Sequence, residues 1–157
     1  MSNSPTAKAT KVESAFRMAC GIRASIKASP TRVWSLLTDA EGFARWNSTV
    51  TRIDGEIAEG GTLRVVVPTA PKRTFKLKVS SVTPGRSMTW SDGVAPMFRG
   101  VRTFVLSPRS DGGTEFSMHE ELAGLMLPLI KSSLPDFAQV FETYAADLQR
   151  AAEAEAR

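Results

Sequence analysis

Two charged residues lie within otherwise apolar alternating segments, and they are the first candidates for chemistry. Arg102 interrupts the apolar set of residues 98–106, and Glu120 interrupts that of residues 114–122. Because every second side chain of a strand points to the same face, both charges are predicted to face the core. An unpaired charge there is costly, so we expect Arg102 and Glu120 to pair with each other.

Such a pair has two interpretations. It could anchor a ligand carboxylate, or polarise a carbonyl or enol, since fixed charges stabilise charge that develops beside them. It could equally be a structural salt bridge with no ligand. The segment SPRSDGG at residues 107–113 predicts a tight turn, which places Arg102 either opposite Glu120 or diagonal to it.

His119 and Cys20 are the other reactive residue types, and the pattern assigns neither a catalytic role. His119 has the phase of Glu115 and Glu121, so it is predicted to point to solvent. Cys20 belongs to an inward-facing set and has no positioned base. One histidine and one cysteine cannot form a His/Cys zinc site, and no metal or other cofactor is predicted.

The composition is that of an ordinary globular domain. Of 157 residues, 42% are hydrophobic and 23% are charged. The 20 basic residues give a formal net charge of +4 but are scattered, so nucleic acid is not a predicted partner. No apolar run is long enough for stable membrane insertion, and the single cysteine fits a reducing, cytoplasmic location. The oligomeric state has no signal in the sequence.

Residues 1–15 are polar, which predicts a flexible N-terminal tail before a single domain at residues 16–157. Alternation predicts a first strand at residues 16–28, and Ser29-Pro30 predicts the start of a helix. VWSLL and AEGFARW favour two short helices, and six more alternating segments follow, beginning at residues 49–54. The predicted chain is therefore α+β, with an antiparallel sheet and a terminal helix.

The terminal helix is the one long helical pattern. Its apolar residues recur at steps of three and four and predict a single apolar face: Ile130, Leu134, Phe137, Phe141, Tyr144 and Leu148. Pro135 interrupts this pattern, because proline removes a helix hydrogen bond. Either residues 125–131 form a separate turn and the main helix begins near Leu134, or one helix bends at the proline.

Strand direction predicts which connections meet. Consecutive antiparallel strands alternate in direction, so every second connection falls at the same end of the sheet. The two short helices, residues 68–72, residues 91–97 and the Ala123-Gly124 junction should therefore share one end. We expect that end to form the mouth of a binding pocket.

Several motifs together resemble the polyketide cyclase/dehydrase-like branch of the START-related (SRPBCC) superfamily. They are SPTRVWSLLTDAEGFARWN at residues 29–47, Gly60-Gly61 before TLRVVV, the RTFVL…GGTEF hairpin, and Gly124 before the terminal helix. The resemblance covers about residues 16–153. It implies the helix-grip (START/Bet v 1-like) fold, in which a seven-stranded antiparallel sheet wraps around a long C-terminal helix, with two short helices between strands 1 and 2.

The resemblance also implies an apolar cavity between the sheet and the helix, with a mouth gated by loops that correspond to residues 67–71 and 92–97. Inward-facing residues are the predicted ligand-binding set: Trp46, Val65, Phe75, Leu77, Met88, Trp90, Phe98, Arg102, Phe104, Phe116, Met118, Glu120, Leu134, Phe137 and Phe141. Any one of the apolar members could instead simply fill the core.

Three functions remain open at this point. The first is binding of a small apolar molecule, such as a lipid, an aromatic or a polyketide-like compound, without a reaction. The second is a polyketide cyclase or dehydratase, in which Arg102 and Glu120 orient and protonate a poly-carbonyl substrate. The third is a protein-interaction module of the chaperone-activator type that uses an outer surface. A packed interior without a cavity would argue against the first two.

Overall fold

An eight-stranded antiparallel sheet and one long helix form the protein in a computed structural model, which describes residues 7–154. The strands are β1 (Thr10–Glu13), β2 (Arg17–Ile26), β3 (Arg52–Asp54), β4 (Thr62–Val67), β5 (Ala70–Thr83), β6 (Ser87–Val94), β7 (Phe98–Pro108) and β8 (Thr114–Ala123). The helices are α1 (Pro30–Leu37), α2 (Phe43–Trp46), α3 (Leu127–Ile130) and α4 (Phe137–Ala154), with a 3₁₀ turn at Lys131–Ser133. Neighbouring strands follow the order β1-β2-β8-β7-β6-β5-β4-β3.

The strand count corrects the sequence prediction of seven strands. The additional strand is β1, which lies inside the predicted tail and pairs with residues 18–21 of β2. All four of its residues are exposed, so hydrophobic alternation carries no signal for it, and pairing with β2 holds it at the sheet edge. Residues 1–6 of the predicted tail lie outside the described residues, and the single domain at residues 16–157 stays a prediction.

Several element boundaries also differ from the pattern. β3 has three residues instead of the predicted strand at 49–54, because the Asn47 side chain accepts hydrogen bonds from the backbone N–H (3.0 Å) and hydroxyl (2.6 Å) of Thr49 and shapes a loop there. β5 and β6 both extend into the predicted gating loops. Only short turns therefore remain between β4 and β5 and between β6 and β7.

α1 begins where the sequence predicts a helix start. The Ser29 hydroxyl accepts a hydrogen bond from the Arg32 backbone N–H (3.2 Å), and Pro30 stands in the first turn, where an N–H is not needed. Val33 and Leu37 point from this helix into the core, one turn apart. The cap therefore determines how the chain passes from β2 onto the inward face of the sheet.

α4 begins at Phe137, after the proline. α3 and the 3₁₀ turn are separate from it, and Leu134 has an extended backbone, as is usual for a residue before Pro135. Of the two alternatives for this region, the separate turn is the one that the structure has, with the main helix starting three residues later than predicted. Ile130 and Leu134 consequently do not belong to the apolar face of α4.

α4 packs on the inward face of the sheet, chiefly on β2, and also contacts α1 and α2. Together these elements enclose the main core, which includes Ile22, Phe104, Phe116, Tyr144 and Leu148. Asp147 joins α4 to the segment that follows α2. Its Oδ2 accepts hydrogen bonds from the Ser48 backbone N–H (2.8 Å) and hydroxyl (2.7 Å). No helix in the described part of the chain is long and apolar enough to cross a membrane.

Candidate functional site

Arg102 and Glu120 lie directly opposite each other on β7 and β8. The distance between Arg102 Nε and Glu120 Oε1 is 3.0 Å, and the two side chains are only 18% and 15% exposed. The predicted pairing of these two residues is therefore confirmed, in the directly opposite register. Their roles as ligand-binding or catalytic residues stay predictions.

The ion pair belongs to a polar row that crosses four neighbouring strands. Trp90 is opposite Arg102, and Cys20 is opposite Glu120, so the polar row is Trp90, Arg102, Glu120 and Cys20 on β6, β7, β8 and β2. All four side chains point to the face that α4 covers, because residues directly opposite in a sheet share a face. Strand pairing thus brings four residues that are far apart in the sequence into one row across the sheet.

Aromatic rings from α4 cover the charged pair. The guanidinium carbon of Arg102 lies 5.2 Å from the ring centroid of Phe141 and 5.8 Å from that of Tyr144. Burial would lower the pKa of Arg102, but the Glu120 carboxylate and its hydrogen bond outweigh burial and hold that pKa above its ordinary value. Arg102 is therefore a permanent cation inside an apolar wall, and the rings stabilise it further.

Burial favours the neutral forms of two side chains beside the ion pair, Cys20 and Tyr144. Burial, followed by the negative charge of Glu120, raises the pKa of the Cys20 thiol, which argues against a nucleophilic role. Burial also raises the pKa of the Tyr144 hydroxyl, so it remains a hydrogen-bond donor. His119 is exposed on the outer face of β8, as its phase predicts.

An aromatic cluster adjoins the polar row and contains donors without acceptors. Tyr144 lies within about 6–7 Å, between ring centroids, of Phe43, Trp46, Phe104 and Phe116. Among the described residues, no acceptor is within hydrogen-bond distance of the Tyr144 hydroxyl or of the indole N–H groups of Trp46 and Trp90. Buried donors normally have partners, so a hydrogen-bond acceptor would be favoured beside them.

Asp92 is a functional candidate that the sequence pattern missed. It lies two residues after Trp90 on β6, opposite Gly100, and the Gly100 backbone N–H donates to its carboxylate. Burial, and then the negative charge of Glu120, raise the pKa of Asp92, although Arg73 and the Gly100 N–H act in the other direction. Because residues 92–97 were predicted as a loop, the alternation was not continued from Trp90 to Asp92, although that continuation was available in the sequence.

A second apolar cluster closes the mouth end of the interior. Its buried members are Met18, Leu122 and Leu127, and the partly buried Phe98, Ile130, Leu134 and Phe137 pack against them. We call these seven residues the mouth cluster. Leu127 of α3 is fully buried in it, so the segment before Pro135 does close the end at which the pocket mouth is predicted.

The predicted ligand-binding residues share the inward face, and they differ in how closely they are packed. Those packed into the main core with almost no exposure are Val65, Met88, Trp90, Phe104, Phe116, Met118 and Phe141. Those only partly buried are Trp46, Phe75, Leu77, Phe98, Leu134 and Phe137. The prediction of shared orientation therefore holds in the structure, and the seven packed side chains leave almost no accessible space against one another. The cavity itself stays a prediction.

The space beside the polar row is small. It has a volume of about 10 Å³ and is lined by Lys11, Met18, Ala19, Cys20, Glu120, Leu122 and Phe137. That is room for about one water molecule and far less than the several hundred Å³ of a typical ligand pocket. A groove of about 480 Å³ lies elsewhere, between β2, the β7–β8 turn and α4, and none of the predicted ligand-binding residues lines it. Among the described residues, no three His, Cys, Asp or Glu side chains are arranged to hold a metal ion.

Sequence comparison identifies the family. The sequence profile of a family described as polyketide cyclase / dehydrase and lipid transport matches residues 19–154. The chain belongs to this polyketide cyclase/dehydrase and lipid transport family. The resemblance to START-related proteins is thereby confirmed. No curated protein matches the sequence of this chain.

Solved structures show the same fold at low sequence identity. A START superfamily protein from Mycobacterium smegmatis is 17% identical, with a TM-score of 0.67 over 87% of this chain and 98% of that chain. A protein from Rhodobacter sphaeroides is 21% identical, with a TM-score of 0.67 over 94% of this chain and 99% of that chain. CalU16 from Micromonospora echinospora, in solution, is 18% identical, with a TM-score of 0.66 over 98% of this chain and 78% of that chain.

Proposed function

We propose that this family member binds a small, largely apolar molecule with one anionic or hydrogen-bonding group, between the sheet and α4. The polar row is the observation that supports this most, because it places a permanent cation in an apolar wall. The unpartnered N–H of Trp90 and hydroxyl of Tyr144 would donate to an oxygen of the same molecule. The family description, which joins cyclases and lipid transport, agrees with a ligand of this kind.

Binding in this position requires movement, because the interior is packed. The mouth cluster is the part that can move at the lowest cost, since it has three fully or almost fully buried side chains, whereas the main core has 25. Its helical part, α3, is a single turn between Gly124 and Pro135. We therefore place the opening at α3, and the ligand's apolar part where Leu127 now packs.

The test compares two ligands that differ only in their polar group. Myristate and tetradecanol have the same chain length, and a carboxylate gains an ion pair with Arg102 that an alcohol cannot make. We expect myristate to raise the melting temperature and to give a one-to-one complex in native mass spectrometry, and tetradecanol to bind about tenfold more weakly. The absence of binding by both ligands, and by a flat pair such as 2-naphthoate and naphthalene, would contradict the proposal.

The matched variant removes both charges at once. Arg102→Met together with Glu120→Met leaves no unpaired buried charge, so the fold should be retained. This double variant is expected to bind myristate and tetradecanol equally. Arg64→Met, on the exposed face of β4, is the control and should preserve the preference for myristate.

A cyclase or dehydratase reaction at the same position is the second candidate, and Asp92 is the observation that favours it. Asp92, with its raised pKa, would be a second carboxyl group near Glu120, as acid–base chemistry on a poly-carbonyl chain requires. Glu120 would take the proton from the carbon that attacks, a carbon–carbon bond would form, and Asp92 would give its proton to the alkoxide. Asp92→Asn should then abolish cyclisation of a β-polyketone but leave its binding unchanged, and full activity of this variant would exclude the role.

A further inference from the structure

Exposed apolar side chains are concentrated at the mouth end of the protein. Seven large apolar residues are exposed in the described part of the chain, and five of them come from the three segments around the mouth. These five form what we call the apolar rim: Phe16 (54% exposed), Val94 (76%), Met97 (51%), Leu125 (58%) and Leu129 (74%). Single exposed apolar residues are common, but a contiguous group at one end indicates a contact surface.

Backbone hydrogen bonds join the segments that carry the apolar rim. The Gly124 N–H donates to the Phe16 carbonyl (3.0 Å), the Leu125 N–H to the Pro96 carbonyl (3.0 Å), and the Met126 N–H to the Met97 carbonyl (2.9 Å). Gly124 has a φ of 142°, and a Cβ there would lie 2.3 Å from the Met97 carbonyl oxygen, so only glycine permits this approach. Backbone hydrogen bonds therefore hold the segments of Phe16, Met97 and Leu125 close together, and Leu129 follows on α3.

Three cations lie beside the apolar rim, and two of them are paired with carboxylates. Arg17 and Arg99 flank Ala123 on the outer face, and Lys131 follows α3. Glu121 pairs with Arg17 (2.9 Å) and Glu13 with Lys131 (3.7 Å). In the part of the chain that the structure describes, no carboxylate lies within ion-pair distance of Arg99, which leaves an uncompensated cation beside exposed apolar side chains.

We propose that the apolar rim docks on a lipid bilayer that contains anionic lipids. Apolar side chains would enter the boundary between head groups and acyl chains, and Arg99 would lie at the level of the phosphates. A second copy of the chain is the less suitable occupant, because in a twofold interface the apolar rim of one copy would meet that of the other, and the five rim residues supply no carboxylate to pair with Arg99. This surface lies outside the proposed ligand position and does not depend on it.

The experiment measures co-sedimentation of the ligand-free full chain with vesicles. We expect binding to phosphatidylcholine vesicles that contain about a third phosphatidylserine, and about fivefold weaker binding to pure phosphatidylcholine. The double variant Met97→Ser and Leu129→Ser should lose about tenfold or more in affinity, because two exposed apolar side chains no longer insert. Val12→Ser with Val105→Ser, which changes two exposed apolar residues outside the apolar rim, is the control and should bind like the unmodified chain.

The charge contribution is tested separately with Arg99→Gln. This variant should lose about fivefold on the anionic vesicles and nothing on the neutral ones, and added salt should remove the difference. Three results would overturn the proposal: no binding to either vesicle, equal losses in rim and control variants, or a dimer in sedimentation equilibrium that the rim variant dissolves. The vesicle experiment uses the ligand-free chain, so a failure of the ligand-binding proposal would not change the meaning of a positive vesicle result.

Discussion

The main core and the mouth cluster are built from the same residue types but in different ways. The main core joins the sheet, α1, α2 and α4 through 25 buried apolar residues, whereas the mouth cluster buries only Met18, Leu122 and Leu127. Each main-core side chain is therefore held by several elements at once. A cluster with few buried side chains, closed by a single helical turn, opens at a lower free energy. We therefore expect the main core to supply most of the stability and the mouth cluster to control access to the interior.

The largest expected effect compares two completely buried leucines. Leu148→Ala in the main core should lower the free energy of unfolding by about 3–4 kcal/mol, because α4 and the sheet cannot close around the cavity. Leu127→Ala in the mouth cluster should cost about 2 kcal/mol, since α3 can shift to fill the space. Denaturant unfolding measures both values. Equal losses would show that the mouth cluster is as rigid as the main core.

The same pair also tests access. Leu127→Ala should strengthen binding of myristate, because the side chain that occupies the proposed ligand position becomes smaller. Leu148→Ala should leave this affinity unchanged although it destabilises the fold more. A stronger effect on binding from Leu148→Ala would move the opening away from α3.

A smaller effect is expected from the polar row, which lies where the two regions meet. Arg102→Met should cost about 2–3 kcal/mol, because it leaves the Glu120 carboxylate mostly buried without a partner. The residual exposure of both side chains keeps this loss below that of a fully buried pair. Adding Glu120→Met should restore most of the lost stability. If the double variant is less stable than Arg102→Met alone, the loss does not come from an unpaired Glu120 carboxylate.

The smallest expected effect concerns two carboxyl groups, Asp92 and Asp111, whose contributions to the free energy of unfolding change with pH in opposite directions. The folded protein raises the pKa of Asp92 above its ordinary value of 3.8, chiefly through burial, so its charged form opposes folding. The folded state is favoured while Asp92 is protonated, and this contribution to the free energy of unfolding is lost as pH rises from about 3.8 through the raised pKa of Asp92. Asp92→Asn should therefore be more stable than the unmodified chain at neutral pH, and the advantage should disappear in acid.

Asp111 in the β7–β8 turn is the matched control with the opposite sign. The Gly113 backbone N–H donates to its carboxylate and lowers the pKa of Asp111 below 3.8. Its contribution is present above pH 3.8 and is lost as pH falls through the lowered value, so Asp111→Asn should reduce stability at neutral pH. Melting temperatures between acid and neutral pH measure both variants. The same sign for both would contradict the burial of Asp92 beside Glu120.

The elements that the sequence predicted well are those whose signal is local. The Ser29-Pro30 helix start, the alternation of β7 and β8, and the pairing of Arg102 with Glu120 all follow from neighbouring residues and one turn length. β1 and Asp92 were missed for a different reason. β1 is wholly exposed, and its place is decided by pairing with β2. Asp92 was missed because Gly93 and Pro96 made residues 92–97 resemble a loop.

By itself, the sequence determined the family, the antiparallel sheet with its terminal helix, and the inward direction of the two opposite charges. Periodicity is sufficient for this, because it states which face each side chain takes. The separation of α3 from α4 and the close packing of seven predicted pocket residues into the main core were decided only by the tertiary structure. The same inward pattern is compatible with a filled core and with a cavity. The distance between α4 and the sheet, which no local pattern encodes, selects between them.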